Sequence, residues 1–174
     1  GYYILTLQTT DITDAEGFEG DTGESVNWVQ YLAAGSQTLT FSLSTGWNWI
    51  STNMEKIGDP ITFLSPVKDQ VKRLQNQFEE LTNDPKYGLT GNLKTLTPKS
   101  SYKLEMSGDG KIDVVGTTLT PDQVTIDLNK GWNWIGYIPR AAASPTMALS
   151  LLSANANDEI KGQRGFAKFN GTSW

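Results

Sequence analysis

"LTFSLSTGWNWI" spans Leu39–Ile50, and "VTIDLNKGWNWI" spans Val124–Ile135. Both stretches close on Gly-Trp-Asn-Trp-Ile, and Thr40/Thr125 and Leu43/Leu128 also match. Leu39, Phe41 and Leu43 alternate with Thr40, Ser42 and Ser44, the pattern of a half-buried strand. Val124, Ile126 and Leu128 repeat it. Gly46 and Gly131 mark a turn or bulge before a second strand in which Trp47 shares a face with Trp49, and Trp132 with Trp134. Burying one indole contributes on the order of 3 kcal/mol. The pattern therefore predicts that each indole pair is the apolar core of one of two related β units.

The correspondence runs on. "DPITFL" (Asp59–Leu64) meets "SPTMAL" (Ser144–Leu149), each a capping residue followed by Pro, which predicts a short helix. "DQVK" (Asp69–Lys72) meets "DEIK" (Asp158–Lys161), Phe78 meets Phe166, and Tyr87 meets Trp174. The first copy continues through Gly91–Gly116, where "SYKLEMSGDGKIDVVG" predicts a hairpin around Gly108-Asp109-Gly110. The second copy reaches Trp174 without that part. The chain opens on "GYYIL", which resembles the Ser101–Glu105 strand. Tyr2–Leu5 is expected to be a closing strand that completes the second copy or belongs to a longer tandem array. The expected organisation is thus an N-terminal strand plus an acidic, Gly-rich loop over 1–37, one repeat over 38–121, and a second over 122–174. The expected fold class is mainly β with short helices, two pseudo-repeats in a sandwich or barrel-like arrangement.

Composition narrows the chemistry. The 174 residues carry a net charge of −5, and no basic cluster stands out, so neither nucleic acid nor an anionic membrane surface is an expected partner. No apolar run is long enough to span a bilayer, and the N-terminus has no signal-peptide pattern, which still fits a mature or excised piece of a secreted protein. The chain has no Cys and no His. Disulfides, thiolate chemistry, Ser-His triads and the usual zinc ligands are excluded. The acids of Thr9–Ser25 match no EF-hand spacing and read as a solvated loop without metal. Glu79-Glu80 and Asp158-Glu159 are sequence neighbours, so on strands they point to opposite faces rather than across a cleft. Asn170-Gly171-Thr172 fits a glycosylation sequon and reads as a turn. No enzyme and no cofactor are expected.

"LSTGWNWIS", "LNKGWNWIG", "DEIKGQRGFAKFNGTSW" and "LKTLTPKSSYKLEM" together resemble a family of tandem repeat modules in large secreted and cell-surface proteins of Bacteroidetes and related bacteria. The resemblance covers most of the chain. It implies β-rich units attached to other domains, with no catalytic residues to carry over. Many relatives carry Leu at the places of Trp49 or Trp134, which implies burial there. The expected function is a non-catalytic extracellular module that binds carbohydrate, with a polysaccharide or glycan and neighbouring repeats as partners. The alternative is a structural or adhesive repeat, a stalk or filament unit acting by self-association. A sugar ring would stack on exposed aromatics. The candidates are Trp174, Tyr87, Trp28 and Tyr137, which lie in turn-like stretches or outside the repeated core pattern.

Overall fold

The structure is a computed structural model that describes residues 36–174. The expected strand at 2–5, the acidic loop and Trp28 lie outside the described residues. The chain is mainly β with short helices and a sandwich-like arrangement. In order come β1 (Ser36–Leu43), β2 (Gly46–Ile50), α1 (Pro60–Leu64), β3 (Val71–Gln75), β4 (Glu80–Asp84), β5 (Gly88–Gly91), β6 (Tyr102–Met106) and β7 (Gly110–Thr117). They are followed by α2 (Pro145–Ala148), β8 (Glu159–Gly162) and β9 (Gly165–Lys168).

The Gly-Trp-Asn-Trp-Ile stretch forms β2, but its buried member is the asparagine. Asn48 is 8% exposed, whereas Trp47 and Trp49 are 42% and 40% exposed. The Asn48 Oδ1 accepts from the Ser44 N–H at 2.9 Å, and its Nδ2 donates to the Ser44 and Gly46 carbonyls at 2.7 and 3.2 Å. This closes the corner between β1 and β2, where Gly46 takes a φ of +91° that a Cβ would strain. Asn133 does the same in the second stretch, with Asn129 N–H at 2.9 Å and the Asn129 and Gly131 carbonyls at 2.8 and 3.0 Å. The expectation that the indoles form the interior of each unit is corrected. Alternation does put both indoles on one face, but that face is the outer one, because Asn48 and Ile50 take the inner side.

The expected hairpin at Ser101–Gly116 is also corrected. β6 and β7 both form, yet they do not pair with each other. β7 pairs with β1, and β6 pairs with β2 and β3. Leu43 lies opposite Gly110 and Gly46 opposite Met106, so the register slips by one residue at the corner. The result is one long bent ribbon that passes from a two-stranded sheet, β1–β7, into a five-stranded sheet ordered β2-β6-β3-β4-β5. Asp109 holds the outside of the bend by accepting from the Thr45 N–H and Oγ1 at 2.8 and 3.1 Å.

Between the sheets lies one apolar core. Leu43 and Ile112 come from the two-stranded sheet, and Leu74, Leu81, Leu104 and Met106 from the five-stranded one. Asp59 caps α1 by accepting from the Ile61 and Thr62 N–H groups, and Phe63 and Leu64 seal one end. Pro66 ends the α-helix in a short 3-10 turn, Ser65–Val67, and the following run resumes as β3.

The second copy is organised differently. Among the described residues, Val124–Leu128 pairs with no strand, and Trp132–Ile135 makes only an isolated bridge between Ser100 and Ile135. The two strands expected there are therefore absent as ladders, because no described segment plays the part of β6 and β7. α2 does form behind Ser144 and Pro145, and β8 pairs with β9.

Asn48→Ala should lower stability by about 2 kcal/mol, since it orphans a buried corner, and Asn133→Ala by about half as much. Urea midpoints at constant slope check this. Tyr102 gives a second test. Burial pushes its phenol pKa above the usual 10.0, although the Thr97 N–H that it accepts at 2.7 Å pulls the other way. The neutral phenol then favours the folded state below pH about 10, and that contribution disappears as pH rises from there through the folded value. Tyr102→Phe should flatten this alkaline loss in thermal melts taken above pH 9.5.

Candidate functional site

The two Gly-Trp-Asn-Trp-Ile segments meet at a seam that side chains of both copies tie together. Residues of a strand turn their N–H and C=O alternately to the two edges, so the Trp47 carbonyl and Trp49 N–H share one edge of β2. The Gln163 side chain lies on that edge. Its Nε2 donates to the Trp47 carbonyl at 2.7 Å, and its Oε1 accepts from the Trp49 N–H at 2.8 Å. Gln77 does the same to the other segment, with its Nε2 on the Trp132 carbonyl at 2.7 Å and its Oε1 on the Trp134 N–H at 2.9 Å. Each primary amide stands in for the peptide group of a missing neighbour strand. Each copy therefore clasps the tryptophan strand of the other.

Both glutamines sit at hairpin tips. The β3–β4 tip lies inside the Gln75–Glu80 pair, where the Asn76 N–H donates to the Glu79 carbonyl, and the β8–β9 tip lies inside the Gly162–Gly165 pair. Gln77 and Gln163 take the same place in these tips. Asp84 and Asn170 then correspond as well. The Asp84 carboxylate accepts from the Lys86 and Tyr87 N–H groups, and the Asn170 side-chain Oδ1 from those of Thr172 and Ser173. Phe78 and Phe166 are thus not equivalent, since one is at a tip and the other on a strand. Tyr87 matches Ser173 rather than Trp174.

Lysines complete the seam. Lys103, on the outer face of β6, places Nζ 4.3 Å from the Trp49 ring centroid and 4.2 Å from that of Trp134. One ammonium thus bridges an indole from each copy. Lys161 sets its Nζ 4.5 Å from the Trp132 ring and 3.0 Å from Glu159. The ring faces attract the cations, an effect worth about 0.5–1 kcal/mol at exposed sites. Backbone bonds tie the same join: the Ser101 N–H donates to the Trp134 carbonyl at 3.1 Å, and the Gly136 N–H to that of Lys99 at 2.9 Å.

The expected ligand-binding aromatics that are described each have their own local partners or exposure. Tyr87 is 69% exposed at the β4–β5 turn, with the Lys86 ammonium 4.8 Å from its ring. Tyr137 donates its hydroxyl to the Ala141 carbonyl, while its N–H donates to the Ser51 hydroxyl. Trp174 packs on Phe169 at 5.4 Å. Among the described residues, no aromatic pair links these three to one another. Trp28 is outside the described residues. A shallow polar groove of about 420 Å³ lies elsewhere on the sheet, lined in part by Lys72, Arg73, Asn83 and Glu105.

Carboxylates near these surfaces have structural partners. Glu79 accepts from the Asn76 amide, Glu80 lies 3.8 Å from Arg73, and Asp158 accepts from the Asn155 N–H. Among the described residues, no cluster of acids is arranged to hold a metal ion. No helix of the described residues is long and apolar enough to cross a membrane. No family model, curated protein or solved structure matches the chain.

Gln77→Ala and Gln163→Ala should each cost about 1–2 kcal/mol, because each removes a paired amide contact. If the seam acts as one joint, the double variant departs from additivity in a double-mutant cycle. Lys103→Met should cost about 1 kcal/mol and shift tryptophan emission at constant fold, checked by fluorescence and circular dichroism.

Proposed function

We propose that this chain is a non-catalytic tandem-repeat module of a larger extracellular or cell-surface protein, and that it works as a structural or adhesive unit. The reciprocal clasp carries this reading. Gln163 holds the Trp47–Trp49 edge and Gln77 holds the Trp132–Trp134 edge, so the most distinctive repeated residues are used in joining copy to copy. Lys103 between Trp49 and Trp134 reinforces the join. The resemblance to tandem modules of bacterial surface proteins supports the same reading, as does the absence of His and Cys.

Carbohydrate binding is the second reading, and one observation favours it. Trp47 and Trp132 keep 42% and 55% of their surface exposed, on a seam flanked by Gln and Lys donors. A pyranose ring could stack on such a face. The two readings separate on a glycan array backed by tryptophan-quenching titrations. The structural reading expects no saturable quenching by any glycan up to millimolar concentration. Saturable quenching that is lost in Trp132→Ala, with the fold retained, would establish the carbohydrate reading instead.

A further inference from the structure

The join between the copies has two parts, and only one of them is reciprocal. The glutamine clasps are matched, since the tip of each copy holds the tryptophan edge of the other. The second part runs one way. Residues 98–101, just ahead of β6, lie as a strap along the second copy and continue the edge that Gln77 begins. The Ser101 N–H donates to the Trp134 carbonyl at 3.1 Å, the Gly136 N–H donates to the Lys99 carbonyl at 2.9 Å, and Ser100 and Ile135 form an antiparallel bridge. The equivalent edge of the first copy is the Trp49 carbonyl and the Ser51 N–H. Among the described residues, it carries no strap.

One residue separates the two edges. Gly136 follows the second pentapeptide, and Ser51 follows the first. Gly136 is buried. A Cβ there would overlap the Pro98 carbonyl oxygen and crowd the Ser100 carbonyl oxygen at 3.2 Å. Both are backbone atoms of the strap, so no side-chain rotation relieves the clash. The strap lies on this edge because the residue beneath it has no side chain. Ser51 does the reverse. Its hydroxyl accepts from the Tyr137 N–H at 3.2 Å, so its side chain takes up space in the join. A strap laid on the first copy as it lies on the second would meet the Ser51 Cβ.

We infer that positions 51 and 136 fix the order of the copies. The edge at residues 134–136 is a docking site for the strap of the copy upstream, and only a unit with glycine after the pentapeptide can take the downstream place. Serine at that position refuses the strap. The contact thus discriminates through a clash in the wrong order as well as through bonds in the right one. The clasps alone would let the copies exchange places, because they are the same from either side. The inference rests on the structural reading above and adds how the joint tells its two members apart.

Hydrogen exchange of the full chain, followed residue by residue by NMR, tests it. Gly136→Ala and Gly136→Ser should act alike, because the clash begins at Cβ. Each should speed exchange of the Ser101 N–H about tenfold or more. The Trp49 N–H, held by Gln163, and the Leu104 N–H in the core sheet should keep their original rates. Ser51→Gly should leave Ser101 unchanged and speed the Tyr137 N–H. A synthetic peptide of residues 96–102 should then slow exchange of the position 51 N–H in the Ser51→Gly chain and not in the unaltered one. Unchanged Ser101 exchange in both position 136 variants overturns the proposal. Equal acceleration at Ser101 and Leu104 overturns it too, since the glycine then serves the whole fold rather than the joint. So does a peptide that protects position 51 in both chains or in neither. Failure of the structural reading shows separately, as glycan-dependent quenching of the unaltered chain.

Discussion

A side-chain amide that imitates a peptide group is the interaction on which this structure turns. It occurs in two settings. Asn48 and Asn133 satisfy the backbone of their own corners, so each Gly-Trp-Asn-Trp-Ile segment leaves its bend in a fixed direction. Gln77 and Gln163 satisfy strand edges that would otherwise need a further strand. Remove the first kind and the indoles lose their orientation. Remove the second and the two copies lose their register on each other. Lys103 adds a cation on the Trp49 and Trp134 rings at the join, while the amides decide where it is.

The β character, the first two strands and both Pro-led helix starts were legible from alternation and capping residues. α1 and α2 begin behind Asp59 and Ser144 as the sequence predicts. Partner choice was not legible. A run such as Tyr102–Thr117 reads as a hairpin because local patterning says nothing about which sheet each arm enters. Here Gly110 meets Leu43 and Met106 meets Gly46, so both arms pair with a remote strand. The indoles were misplaced for a related reason. Alternation defines two faces of a strand without saying which is inward, and residue size suggested the tryptophans. The hydrogen-bonding capacity of Asn48 reversed that choice.

The seam itself left only a faint trace. Gln77 and Gln163 stand at different distances from the nearby phenylalanines Phe78 and Phe166, so matching the aromatics hid the equivalence of the tips. Their role follows only from the hairpin registers. Lys103 was equally silent, because a lysine on an exposed strand face is ordinary until two rings are found beside it. Of the four aromatics read as ligand contacts, Trp174 and Tyr87 stand in turn-like surroundings and Trp28 and Tyr137 lie outside the repeated core pattern; turn-like surroundings also mark simple surface packing such as Trp174 on Phe169.

The bent ribbon sets the order in which the protein can be made. Ser36 pairs with Thr117 and Ile50 with Tyr102, so β1 and β2 leave the ribosome well before their partners exist. Everything from α1 to β5 must be synthesised while that edge waits, and closure then requires ends far apart in sequence to meet. Such topology folds slowly, over milliseconds to seconds. During translation the nascent first copy therefore exposes an unpaired, tryptophan-bearing strand, and in a polypeptide of many such units each would pass through the same vulnerable interval in turn.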